Sequence, residues 1–132
     1  NTWGDTVIAG FKDVNSALMC ACKFIQHLNI EGLDTRIGVH WGEATVRNNE
    51  ITGKYDIDGD SINIGARLEQ IAEIGEVIVS TEIRHHESLK DVIFRFIETQ
   101  RTLEKPTQRH PKGTQINCFV ATLSSNASPF YK

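Results

Sequence analysis

The chain has 132 residues and a formal net charge of -3, with 39% hydrophobic and 23% charged residues. That length suits one domain or most of one, able to remove about two-thirds of its unfolded surface from water. The acidic balance argues against a nucleic-acid surface, which needs clustered cations to meet phosphates. No apolar run approaches the ~18 residues that span a bilayer.

The chain opens "NTWGDTVIAGF". Asn1 to Asp5 is polar and turn-like, and Thr6 to Phe11 predicts a short buried strand. Asp13 or Asn15 can cap a helix, because Val14, Ala17, Leu18, Ala21, Ile25 and Leu28 recur at spacings of three or four. Glu31-Gly32 ends it. Thr35 to Trp41 ("TRIGVHW") alternates and is β-branched, which predicts a strand, and Glu43 to Val46 continues or pairs with it. "RNNEITGK" is a polar turn region. Asp58-Gly59-Asp60-Ser61 starts a second helix that runs to about Glu73. Glu76 to Ser80 predicts a strand, Thr81 to Leu89 a short helix, Val92 to Ile97 a strand and Gln115 to Ala121 the last strand. Thr99 to Gly113 is polar and holds Pro106 and Pro111, as a long loop would. Residues 124–132 read as a tail or linker.

Helices alternating with pairs of strands predict an α/β (α+β) sandwich, a largely antiparallel sheet covered by helices. Cys20, Cys22 and Cys118 form no Cys-x-x-Cys pair. They read as reduced thiols of a cytoplasmic protein. Asn126-Ala127-Ser128 is a glycosylation sequon with no other sign of secretion beside it.

Chemistry concentrates in "KYDIDGDSINIGARLEQIAEIGEVIVS", residues 54–80. In the helix there, Ile64, Leu68, Ile71 and Ala72 form an apolar stripe. Asn63 and Arg67, four apart, project one turn from each other beside that stripe. An amide and a guanidinium so placed can reach one ligand; the alternative is a solvated face with an ordinary arginine. Asp56, Asp58 and Asp60 do not make a calcium loop, which needs Gly at its sixth position and Glu at its twelfth. Asp58 and Asp60 read as carboxylates at a helix start, whereas Asp56 has no such structural role. His85 and His86 are adjacent, so on a helix they diverge by about 100° and make a poor metal pair.

"YDIDGDSINIGARLEQIA" resembles the signature of class III nucleotidyl (adenylate/guanylate-type) cyclases, a Tyr-Asp-x-x-Gly-Asp/Asn-x-Val-Asn-x-Ala-x-Arg stretch. "TRIGVHWGEA" is similar to the preceding family strand, close to Arg-x-Gly-Ile-His-x-Gly. "GEVIVS" is similar to the strand that follows, and "NTWGDTVIAGF" to the hairpin that carries a metal aspartate. The likeness runs in register from residue 1 to about 98, and more loosely over residues 112–121. Four motifs in one order are far more specific than any one of them.

The resemblance implies a ferredoxin-like cyclase sandwich. Residues 1–123 would be the C-terminal two-thirds of a catalytic domain whose first metal carboxylate lies upstream. It implies conversion of a nucleoside triphosphate to a 3′,5′-cyclic nucleotide and pyrophosphate, with two Mg²⁺ or Mn²⁺ ions. Asp5 falls at the second metal carboxylate, Arg67 at the arginine that stabilises charge on the α-phosphate, and Asn63 at the asparagine that orients the ribose. Lys112 falls, loosely, at a triphosphate-binding lysine. A head-to-tail homodimer with shared sites is implied.

Base recognition in the family rests on two positions, here Asn1 and Asp56. Asp56 suits a base that offers a donor and opposes the guanine carbonyl. Asn1 departs from both the lysine of ATP enzymes and the glutamate of GTP enzymes, and its amide can both donate and accept. Trp3 replaces a small aliphatic residue. These departures lean towards the pyrimidine nucleotide cyclases of bacterial antiphage (antiviral) signalling, with an adenylate cyclase as the alternative. A degenerate nucleotide-binding or regulatory cyclase-like domain is a further reading. A palm domain of the diguanylate-cyclase type is disfavoured, because its Gly-Gly-Asp/Glu-Glu-Phe hairpin is absent.

Overall fold

The computed structural model describes residues 2–3, 6–103 and 113–124, and of residues 2, 3, 6, 49 and 54–58 the backbone alone. In chain order the elements are β1 (Thr2–Trp3), β2 (Thr6–Val7), α1 (Val14–Ile30), β3 (Ile37–Val39), β4 (Thr45–Asn49), β5 (Lys54–Asp58), α2 (Asp60–Ile71), β6 (Val77–Val79), α3 (Thr81–Arg84), β7 (Phe94–Thr102) and β8 (Gln115–Leu123).

The sheet at the centre has the strand order β3-β6-β8-β7. β3 and β6 run parallel, with Ile37 opposite Val77 and Val39 opposite Val79. The β6–β8 and β8–β7 pairings are antiparallel. The sheet is therefore mixed, and α2 lies within the connection that a parallel pair requires. Helices cover both faces. Val77 and Val79 of β6 pack towards α1 with Val14, Leu18, Cys22, Ile25, Ile83, Phe94 and Ala121. Ile78, between them, turns to the other face and joins Leu68, Ile71, Ala72, Leu103 and Cys118. The period-two alternation of β6 thus supplies both cores.

α1 begins where Asp13 predicts. Its carboxylate accepts from the Ser16 backbone N–H at 3.0 Å and from the Ser16 hydroxyl at 2.7 Å, and those two bonds hold the carboxyl below the usual carboxylate range. Arg101 of β7 ties the end of α2 to the start of β6. Its Nη1 donates to the Ile71 carbonyl at 3.0 Å, and its fork meets Glu76 at 2.8 and 3.1 Å. The hydrogen bond from Arg101 is the main reason the Glu76 carboxyl lies below its usual range. With a lowered folded value, this stabilisation is present above the unfolded pKa and is lost as pH falls through the folded one.

Four expectations are corrected. Thr6 to Phe11 is not a buried strand: only Thr6–Val7 is extended, paired with Thr2–Trp3. Val7 is 76% exposed and Phe11 45%. Among the described residues this hairpin pairs with no strand of the central sheet. Asp58, expected beside Asp60 as a carboxylate at the start of the second helix, is the last residue of β5; the helix begins at Asp60, with Gly59 as its N-cap and no side-chain hydrogen bond. The helix expected over Thr81 to Leu89 stops at Arg84. There the Asn15 amide accepts from the Lys90 N–H at 2.9 Å and donates to the Ser88 carbonyl at 2.8 Å, holding the following segment as a loop on α1. Finally, β7 reaches Thr102, into the expected loop. Thr99 to Thr102 pair with Gln115 to Cys118, and Gln100 donates to Asn117 across the strands at 2.9 Å.

Candidate functional site

The site residues named from sequence fall in two groups. Asn1, Asp5 and Lys112 lie outside the described residues. Asp56, Asn63 and Arg67 lie on one continuous unit, β5 followed by α2. In the antiparallel β4–β5 ladder Asp56 stands opposite Arg47. Two residues beyond Asp56 the strand ends, and Gly59 turns the chain into the helix with φ +139°. An added Cβ there would be strained in any case and would stand 3.3 Å from the Glu43 carbonyl oxygen.

α2 is held against the segment that follows β3. The Ser61 hydroxyl donates to the Glu43 carbonyl at 2.7 Å. At Gly38 in β3 an added Cβ would run into the Gly65 carbonyl oxygen and stand 2.5 Å from the Glu69 nitrogen. Strand and helix backbones therefore touch directly. Arg36 adds an ion pair to Glu69 at 3.4 Å. With Leu68 and Ile71 buried beneath, the face carrying Asn63 and Arg67 is fixed in rotation. Asn63 is exposed and Arg67 half-buried. Partial removal of water strengthens the electrostatic pull of a half-buried guanidinium.

His40 was missed by sequence reasoning. It follows Val39 at the end of β3, and its side chain is only 7% exposed. Its Nδ1 lies 2.9 Å from the Ser80 hydroxyl and 3.2 Å from a Glu82 carboxylate oxygen. Burial pushes its pKa below the ordinary histidine value, against the opposing pull of Glu82 and Asp60. The available signal was a histidine at the close of an apolar alternation, followed two residues later by Gly42. Of the adjacent histidines, His85 is exposed and His86 is half-buried, edge-on to Trp41 at 4.4 Å.

Among the described residues no group of three or more His, Cys, Asp or Glu could hold a metal ion. None of their helices is long and apolar enough to cross a membrane. A cleft of about 320 Å³, lined by Cys22, Ile25, Asn29, Val77 and Ala121 among others, opens on the α1 side of the sheet. Cys22, in its wall, is an unreactive thiol, pushed up to about 12 by burial.

Residues 5–120 match the family model for the adenylate and guanylate cyclase catalytic domain. Receptor-type adenylate cyclase B of Leishmania donovani is 41% identical over 49 residues, 37% of this chain and 4% of that protein. An adenylate cyclase of Podospora anserina is 32% identical over 56 residues, 42% of this chain and 3% of that protein. The chain thus spans a small part of the length of these relatives. Among solved structures, the adenylyl cyclase CyaB of P. aeruginosa superposes with a TM-score of 0.62 at 21% identity, over 86% of this chain and 60% of that one. The catalytic core of a rhodopsin-guanylyl cyclase with converted specificity, in complex with ATPαS, gives 0.61 at 19% identity, over 93% and 65%. At those identities the likeness is one of fold.

Proposed function

The chain belongs to the adenylate and guanylate cyclase catalytic domain family, and on that premise we propose that it cyclises a nucleoside triphosphate. The observation that carries the reading is α2: a helix fixed against β3 that presents Asn63 and a half-buried Arg67 one turn apart. In the reaction the ribose 3′-oxygen bonds to the α-phosphorus, the bond to the pyrophosphate oxygen breaks, and the 3′-hydroxyl proton passes to water. Negative charge builds on the α-phosphate oxygens as the bonds exchange. The Arg67 fork meets that charge, in a position where no reorganisation is needed. Asn63 orients the ribose so that its 3′-oxygen lies in line. Lys112 holds the triphosphate. Asp5, with a second carboxylate, would hold Mg²⁺ or Mn²⁺, which when bound neutralises phosphate charge and makes the hydroxyl more acidic. Asp5 and Arg67 act in one site from different protomers of a head-to-tail homodimer, as the family resemblance implies. Cys20, Cys22 and Cys118 are free thiols, which accords with a reducing, cytoplasmic setting.

Asp56 and Asn1 read the base. An ionised Asp56 is an acceptor only, so it rewards an amino group or an N–H and opposes the guanine carbonyl. Asn1 in place of a lysine leans the pocket towards CTP or UTP, the substrates of antiphage-type cyclases. ATP is the second reading, because the curated relatives are named adenylate cyclases. The test is to supply each of the four triphosphates separately with Mn²⁺ and quantify cyclic product. GTP is expected to be the poorest, since an acceptor that the bound base covers and leaves without a donor costs about 1–3 kcal/mol. Asp56→Ala should flatten the ranking more than it lowers the best rate. A preference for GTP overturns the role of Asp56; a preference for ATP removes the pyrimidine leaning; no cyclic product from any nucleotide leaves a binding domain.

A further inference from the structure

We propose that His40 is a positioning residue that locks the first turn of α2, and with it Asn63 and Arg67, to the end of the central sheet. β3 and β6 are parallel, so the residues that follow them, His40 and Ser80, emerge at the same end. The Ser80 N–H donates to the Val39 carbonyl at 3.1 Å, which brings the two exits together. On its δ side the imidazole is held by Ser80 and Glu82. Ser80 is itself fixed, being buried and capping α3 by accepting from the Ile83 N–H.

The ε side of the ring faces the other helix. An added Cβ at Gly42 would run into the Ser61 hydroxyl and would stand 3.0 Å from His40 Nε2. The ring edge and the Ser61 hydroxyl of the first turn of α2 thus both border the space that a side chain at Gly42 would fill. That loop is in turn bound to α2 by the Ser61–Glu43 hydrogen bond. The series Glu82 and Ser80, His40, Gly42, Ser61 joins the start of α3 to the start of α2. Asn63 is two residues beyond Ser61.

Other roles for this cluster fail on geometry. A Ser-His-acid nucleophile requires the hydroxyl and the carboxylate on opposite ring nitrogens, whereas Ser80 and Glu82 share Nδ1. No metal-holding cluster exists among the described residues. A histidine kept only for bulk would not need two oxygens on one nitrogen. A misplacement of about 1 Å at a reacting group can cost on the order of 10²-fold in rate, so a small slip of this loop is enough to matter.

The effect on rate rests on the cyclase reading; the effect on α2 does not. The experiment therefore reads both, in His40→Leu and His40→Asn proteins. The Asn amide nitrogen occupies the place of Nδ1 and can keep the Ser80 bond, whereas Leu fills the space without it. In His40→Leu, amide hydrogen exchange at residues 63–67, measured without substrate, should accelerate by about tenfold or more. Its kcat should fall by about tenfold to a hundredfold with KM within about twofold. His40→Asn should stay within about threefold of wild type in both. Should His40→Leu fail to fold, Ser80→Ala, which leaves the ring in place without its hydroxyl, must show the same acceleration in α2. Wild-type exchange at residues 63–67 in the folded Leu or Ala variant, or equal behaviour of Leu and Asn, overturns the assignment. A wild-type protein that makes no cyclic product sinks the cyclase reading, while the exchange data still decide the role of His40.

Discussion

Replacing Arg67 with alanine is expected to lower turnover by about 10²-fold or more while changing the KM for triphosphate far less. The reason is differential binding. Ground-state triphosphate carries its charge mainly on the β- and γ-phosphates, which Lys112 and bound cations would meet in the proposed site. Charge on the α-phosphate oxygens grows only as the 3′-oxygen attacks, so an interaction made there appears in kcat. Arg67 is suited to this by placement. It stands beside the buried stripe of Leu68 and Ile71, on a helix whose backbone touches β3 at Gly38, so the backbone that carries it is set before substrate arrives. Lysine should rescue poorly, because a point charge does not reproduce two parallel donors. The fold should be intact by thermal melting, since the apolar stripe does not use Arg67. Unchanged turnover in Arg67→Ala would return the residue to an ordinary helix surface.

The second large effect concerns stability. Gly38→Ala should destabilise the protein by about 3 kcal/mol or more, at the upper end for overpacked sites. A methyl group there meets the Gly65 carbonyl and the Glu69 nitrogen of α2. Both are backbone atoms, with no flexible side chain to swing away, so the helix must lift from the sheet. Gly65→Ala makes the matched control. It lies on the same contact, yet an added Cβ has nothing within 4 Å. With its better helix propensity it should be neutral or stabilising by up to about 1 kcal/mol. Urea unfolding of both variants decides: a wild-type midpoint in Gly38→Ala would mean that β3 and α2 are not in direct contact.

How much of this was legible in the sequence depended on where the stabilising partners sit. α1 was readable because its information is local: Asp13 caps it and Val14, Leu18, Ala21 and Ile25 are buried at helical spacing. β6 was readable as a fully apolar run. Its parallel pairing with β3 was not, since three-residue strands carry no mark of direction. The polar end of β7 escaped because backbone pairing with β8 holds it, so Gln100 and Thr102 can face water. Val7 misled in the opposite way, an apolar residue that stays largely exposed. In the site, Asn63 and Arg67 stood out from their spacing and motif. His40 did not, because its partner Ser80 is 40 residues away in sequence and becomes visible only when two parallel strands end side by side.

In the proposed shared site, α2 presents Arg67 to a triphosphate whose metal carboxylate, Asp5, would come from the neighbouring protomer. Mixing Asp5→Asn protein with Arg67→Ala protein tests this most directly. Each variant alone should be nearly inactive. Random exchange makes about half the dimers mixed, and one of the two sites in each mixed dimer regains both residues, so roughly a quarter of wild-type cyclic nucleotide production should return. A mixture that exchanges subunits yet stays as inactive as either variant alone would contradict the shared site and place Asp5 and Arg67 in separate chemistry.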